Sequence, residues 1–300
     1  MSTGFHWNEL YAWHDTGTGS GFLSTGGLVE PEQHGESPAT KRRLRNLLDV
    51  TGLLAQTTEL PGRKATEEEI LRVHHAERDE GRGFCVFANI AIAVEHMRAV
   101  HGVEKIAIVD WDVHHGNGTE HAFYEDPGVL TISLHQDGLY PAESGLVGDT
   151  GKGEGEGFCV NVPLPPGSGN GAYVAALERV VVPAIEGFNP DLIIIASGLD
   201  ASMMDPLAMQ MVTSEGYREM TDVMTALADR VCEGKLVAIH EGGYSSSYVP
   251  FCGAAVIEGL LGLGDKVVED PFIEAFRGIG YVDLQPHQEA VIEEAAKVAS

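Results

Sequence analysis

Five runs of apolar and β-branched residues punctuate the chain, at 105–110, 129–135, 158–164, 192–197 and 236–240. Most are apolar without alternation, the pattern of strands buried on both faces of a parallel sheet. Segments with helical spacing lie around and between them, at 40–51, 66–80, 87–100, 171–185, 214–233, 250–263 and 285–298. Alternation of strand and helix predicts one α/β domain spanning 1–300, with a central, mainly parallel sheet and helices on both faces. Ligands of such sheets bind beyond the carboxyl ends of the strands. Asp110, Asp112, Asp200 and His240 all stand at or just past such ends.

Three stretches read as irregular loops: 15–40, 136–157 and 201–210. Within the second, Gly148-Asp-Thr-Gly-Lys-Gly-Glu-Gly-Glu-Gly157 imitates a phosphate loop, but Lys152 is followed by Gly and the run carries two glutamates. A surface loop is expected there.

Composition narrows the function classes. The 300 residues are 43% hydrophobic, enough for a sizeable core, and no apolar run is long enough to span a bilayer. The opening Met-Ser-Thr-Gly-Phe-His-Trp has neither the basic nor the apolar region of a signal peptide. Cys85, Cys159, Cys232 and Cys252 are widely spaced, form no CxxC, and read as buried thiols in a reducing cytoplasm. With 45 acids against 19 bases the net charge is −26, which disfavours nucleic acid as a partner. The same charge would draw in a cationic substrate such as a lysine side chain or a polyamine, or else it serves solubility alone.

The densest chemistry lies in Asp110-Trp-Asp112-Val-His114-His115-Gly-Asn117-Gly118. Strand alternation would point Asp110, Asp112 and His114 the same way, and buried acids and imidazoles there are costly unless paired or metal-bound. Asp200, after the run at 192–197, supplies a third ligand. Asp112, His114 and Asp200 then form an open set of two carboxylates and one imidazole, catalytic in style. His74 and His75, ahead of the Gly83-Phe84-Cys85 turn, suit general acid–base work on a metal-bound water, with Asp110 and Asn117 available to orient them. On the bland reading the two histidines only decorate a helix end. Glu241-Gly242-Gly243-Tyr244 bends the backbone at two glycines and presents a phenol fit to donate to an oxyanion, although such a turn is often mere packing.

Together these motifs resemble the zinc-dependent histone deacetylase family, nearest to its class II branch and to bacterial histone deacetylase-like amidohydrolases and acetylpolyamine amidohydrolases. The likeness is carried by Asp110–Gly118, Thr131-Ile-Ser-Leu-His135, Ser197-Gly-Leu-Asp-Ala201 and Glu241–Tyr244, and it extends to Trp7–Trp13, Asn161–Asn170 and Asp200–Leu207. The resemblance implies an arginase/deacetylase-like fold and hydrolysis of acetyl or other acyl amides on lysine side chains or small amines. It implies one catalytic Zn²⁺ on Asp112, His114 and Asp200, and a histidine pair in which Asn117 orients His75 and Asp110 orients its partner. Tyr244 would polarise the carbonyl, and Gly83, Phe84, Tyr140 and Gly243 would line a narrow acyl-lysine channel. A structural K⁺ would sit on Asp110, Asp112, His114, Ser133 and Leu134, and His115 is structural. No membrane partner follows from this reading, and a homo-oligomer is compatible with it.

One segment departs from the family. The histidine pair there follows Pro-Pro-Gly at a strand end, whereas here Thr66-Glu-Glu-Glu-Ile-Leu-Arg-Val-His74 runs straight into His75-Ala-Glu-Arg-Asp-Glu-Gly81. This points to an internal deletion near Val73–His75, with the loss of one central strand as its structural cost. His74 then reads as the last residue of an upstream helix. The alternative function is an inactive zinc-binding relative acting as a binding protein. A manganese ureohydrolase is the weaker third reading, since such sites carry more acids around two metals.

Overall fold

A computed structural model of the chain describes residues 2–20, 23–74, 83–276, 278–280 and 282–299. A two-residue parallel pair, β1 (Gly4–Phe5) and β2 (Thr58–Glu59), brackets α1 (Pro38–Val50), whose N-cap Ser37 accepts a hydrogen bond from Ala39 N–H. Next come α2 (Glu67–Leu71) and α3 (Asn89–His101).

The main sheet follows in βα alternation: β3 (Ile106–Asp110), α4 (Asn117–Phe123), β4 (Val129–Gln136) and β5 (Cys159–Leu164). The chain continues through α5 (Asn170–Ala176), a π turn at Leu177–Val181, α6 (Val182–Phe188) and β6 (Leu192–Ser197). It closes with α7 (Ser214–Val231), β7 (Leu236–His240), α8 (Val249–Leu260), α9 (Ile273–Phe276) and α10 (Pro286–Val298).

All five strands of this sheet are parallel, in the order β5-β4-β3-β6-β7. The strand reading from hydrophobic runs holds to within one residue at each end. Alternation divides β3 between two cores. Ala107 and Val109 pack with α5, α6, α7, α8 and α10, whereas Ile106 and Ile108 pack with α3 and α4. Helices therefore cover both faces, as parallel strands require. Residues of β3, β4 and β6 are buried throughout, while edge strand β7 is only part-buried, with Val237 at 45% exposure.

Three expectations need correction. The helix expected over 66–80 is capped as a helix start should be, by a reciprocal box between Thr66 and Glu69, but it ends at Leu71. There Ile70 O accepts from both Val73 and His74 N–H, closing the chain into a turn. The helix expected over 171–185 is continuous but widened by the π turn, because Pro183 has no N–H to continue the ordinary ladder. Finally, Cys85 is exposed, at the Gly83–Cys85 turn, whereas Cys159, Cys232 and Cys252 are buried. Among the described residues no helix is long and apolar enough to cross a membrane.

Candidate active site

β3 ends at Asp110, so strand alternation does not deliver the next acids. Two side-chain-to-backbone turns do so instead: Asp110 Oδ1 accepts from Asp112 N–H at 3.0 Å, and Asp112 Oδ1 accepts from His114 N–H at 2.9 Å. Asp110 thereby supports the site from behind. Register pairs it with Ser133 on β4, and both line a small cavity of about 10 Å³, room for roughly one water. The cavity wall also includes Asn161, whose Oδ1 is buried without a hydrogen bond. Ser133 Oγ accepts from Gly116 N–H at 3.3 Å, and neighbouring Leu134 is fully buried.

Asp200 arrives from the loop after β6. It is wholly buried, and its Oδ1 accepts from Val113 N–H at 2.8 Å. Its Oδ2 has no hydrogen bond but stands 3.2 Å from His114 Nδ1, which is itself 3.0 Å from Asp112 Oδ1. An imidazole nitrogen carries at most one hydrogen, so it cannot satisfy both acceptors at once. One donor atom from each of Asp112, His114 and Asp200 lies within 4.8 Å of the others.

The backbone is shaped around these carboxylates. A Cβ on Gly198 would overlap Asp112, and one on Gly242 would overlap Asp200 Oδ2 and Asp112 Oδ2. Gly242 N–H donates to Asp112 Oδ2 at 2.9 Å.

Negative charge is in excess here. Burial and then the Asp112 charge push Asp200 up to about 6, and burial with the Asp112 and Asp200 charges pushes Glu241 up to about 8. Asp205 rises to about 7 from burial and the Asp200 charge, and Asp110 is raised by burial and Asp112. Burial opposes protonation of His114, yet the Asp112 and Asp200 carboxylates beside it carry it up to about 11. Asp112 and Asp200 meeting at one imidazole, with one buried carboxylate oxygen unpartnered and three more acids raised nearby, are a donor set that a divalent cation fits.

Aromatic edges surround the cluster. Tyr140 and Tyr244 stand edge-on to the His114 ring at 6.3 and 6.2 Å, and Phe84 stands edge-on to Tyr244 at 6.0 Å. Gly83 backs onto the Tyr140 ring. Phe84 adopts φ +64°, a left-handed conformation that is costly for a bulky residue and concentrates at functional sites. Gly243, at φ +128°, packs against Leu199 and Val249 and sets the direction of Tyr244. Tyr244 N–H donates to Asp205 Oδ2 at 2.8 Å. Burial, then the Asp200 and Asp112 charges, raise the Tyr244 phenol, which keeps it a proton donor.

His74 follows the turn that ends α2: its Nε2 accepts from Ala88 N–H at 3.0 Å and its ring packs edge-on against Phe87 at 5.6 Å. His75 lies outside the described residues. Asn117 opens α4, and its N–H donates to His115 O at 2.8 Å. Sequence reading gave no role to Gly198, Asp205 or Glu241. A glycine directly after the run at 192–197 was the available sign for Gly198, and the Asp205-Pro206 turn former for Asp205.

The histone deacetylase domain model matches residues 72–260. A histone deacetylase-like amidohydrolase of Pseudomonas aeruginosa is 41% identical over 342 aligned positions, covering 91% of this chain and 90% of that one. Since 91% of this chain is about 273 residues, about 70 of the aligned positions have no counterpart here. A probable deacetylase of Archaeoglobus fulgidus is 41% identical over 66% of this chain, which spans 55% of that protein's length. Among solved structures, that of the HDA15 HD domain superposes with a TM-score of 0.77 at 27% identity, covering 99% of this chain and 98% of that one. With its parallel sheet, its convergent Asp112, His114 and Asp200, and these relatives, the chain belongs to the histone deacetylase family.

Proposed function

We propose that this chain hydrolyses acyl amides on lysine side chains or on small amines such as polyamines, with one zinc ion held by Asp112, His114 and Asp200. The carrying observation is the convergence of those three donors beside the Tyr244 phenol. Bound there, zinc would acidify a water molecule and act as Lewis acid toward the amide oxygen.

The remaining work falls to the chain. Tyr244 donates its phenolic hydrogen to the oxygen that becomes negative as the amide carbonyl is attacked. Phe84 and Tyr140 flank the alkyl arm of the substrate and exclude water from it. Gly242 and Gly198 leave the space that lets the two carboxylates close on one point. Proton transfer to the leaving amine is assigned to His75, with Asn117 orienting it, and His74 is its proposed partner with Asp110. A structural K⁺ is assigned to Asp110, Asp112, His114, Ser133 and Leu134, where the Asp110 carboxyl is buried beside the Asp112 charge. The net charge of −26 favours a cationic amine over nucleic acid, and a cytoplasmic setting suits the unpaired cysteines.

A second reading, zinc binding without turnover, draws on the position of His74, whose Nε2 is taken up by Ala88 N–H. One assay separates the two. Acetyl-lysine peptide and acetylpolyamine are supplied to the zinc-loaded chain, with and without chelator, alongside hydroxamate binding. Chelator-sensitive release of acetate supports the enzyme. Tight hydroxamate binding with no release supports the second reading, and release that ignores the chelator overturns both.

A further inference from the structure

A chain of buried polar groups ties the Tyr140 loop to the floor of the site. His115 is 5% exposed, and its backbone N–H donates to Tyr140 O at 3.2 Å. Its ring bridges two anchors: Nε2–H donates to Glu120 at 3.1 Å, and Nδ1 meets Ser144 Oγ at 2.9 Å. Ser144 Oγ donates onward to Pro141 O at 3.0 Å. Glu120 is pinned in turn, accepting from Asn161 Nδ2 at 2.8 Å and Cys159 Sγ at 3.1 Å, both on β5. Behind this ring, His135 lies tilted against it at 4.8 Å and its Nε2–H donates to Gly145 O at 3.0 Å. Gly145 sits at φ +72°, and a Cβ there would collide with His135 and His115. The segment 140–145 is therefore held at its two ends and at its middle, all from the sheet side, while the Tyr140 ring faces His114.

We propose that His115 and Ser144 are positioning residues for substrate: through Ser144, Pro141 and the Tyr140 carbonyl they fix where the Tyr140 ring stands as a wall of the channel. This rests on the deacylase reading for its consequence, but not for its geometry. Neither residue touches the reacting atoms, so the effect falls on capture of the substrate arm and not on the chemical step.

The test compares Ser144→Ala with Ser144→Thr, which keeps the hydroxyl, in the full chain. Amide hydrogen exchange is read over 113–118 and 137–147, and steady-state kinetics on acetyl-lysine peptide are read in parallel. Ser144→Ala should speed exchange of the His115 amide and of the loop at least tenfold with β4 unchanged, and Ser144→Thr should restore protection. KM should rise about five- to tenfold in Ser144→Ala with kcat within twofold. Unchanged exchange overturns the positioning role, as does a fall in kcat at constant KM. Accelerated exchange in a chain whose parent shows no turnover leaves the positioning geometry supported and counts against the deacylase reading alone.

Discussion

Gly242 N–H donates to Asp112 Oδ2 at 2.9 Å, and its Cα leaves no room for a side chain between that oxygen and Asp200 Oδ2. The glycine thus sets how closely two like-charged carboxylates approach from β3 and β6, which are neighbours in the sheet. Gly242→Ala must push them apart. Zinc affinity, read by competition with a chromophoric chelator, should fall on the order of 100-fold with the far-ultraviolet spectrum unchanged. Parental affinity in this variant would contradict the cradle.

Tyr244 stands at the rim with its phenol held protonated by burial and by the Asp200 and Asp112 charges. On the proposed reading Tyr244→Phe removes one oxyanion donor and leaves Asp112, His114 and Asp200 in place. Turnover should drop about 10²- to 10³-fold while zinc content stays at the parental level. Equal loss of zinc and turnover would place Tyr244 in metal binding instead.

Asp205 holds Tyr244 and Leu207 by their backbone N–H groups, through Oδ2 at 2.8 Å and Oδ1 at 2.9 Å. Asp205→Ala frees the Tyr244 turn without touching the three ligands. Turnover should decline about tenfold, with zinc stoichiometry retained, since misplacing an oriented donor weakens catalysis steeply. An unaffected rate would show that Gly243 packing alone fixes the turn.

His240 ends β7 with its Nε2 unpartnered. Burial, then Lys41, lower its pKa to about 3, against an opposing pull from Asp112. The unfolded chain takes up this proton near pH 6.5 and the folded chain does not, so stability falls as pH drops from about 6.5 toward 3, by up to about 1.4 kcal/mol per unit. Urea unfolding between pH 7 and 5 should therefore have a shallower pH slope in His240→Gln than in the parent. Identical slopes would mean that His240 charges in the folded chain.

Much of this was legible from residue order. Uninterrupted apolar runs located the five central strands because strands buried on both faces have no polar side to disguise them. Asp112, His114 and Asp200 were readable because each lies just past such a run. The route by which they meet was not: strand alternation was expected to carry His114 into line, whereas β3 stops at Asp110 and turns built on Asp110 and Asp112 do the work. Gly198 and Asp205 escaped notice because a close approach and a backbone anchor leave no periodic trace. Helix α2 was overextended because its helical spacing continues past Ile70, whose carbonyl in fact closes the last turn.

The proposed chemistry requires a single catalytic zinc on Asp112, His114 and Asp200. Metal-free chain titrated with zinc, with acetate release from acetyl-lysine peptide followed in the same samples, tests it most directly. Turnover should rise to one equivalent of zinc and then level, and should be absent at one equivalent in Asp200→Asn. Turnover independent of zinc, a plateau only at two equivalents, or full activity in Asp200→Asn would contradict it.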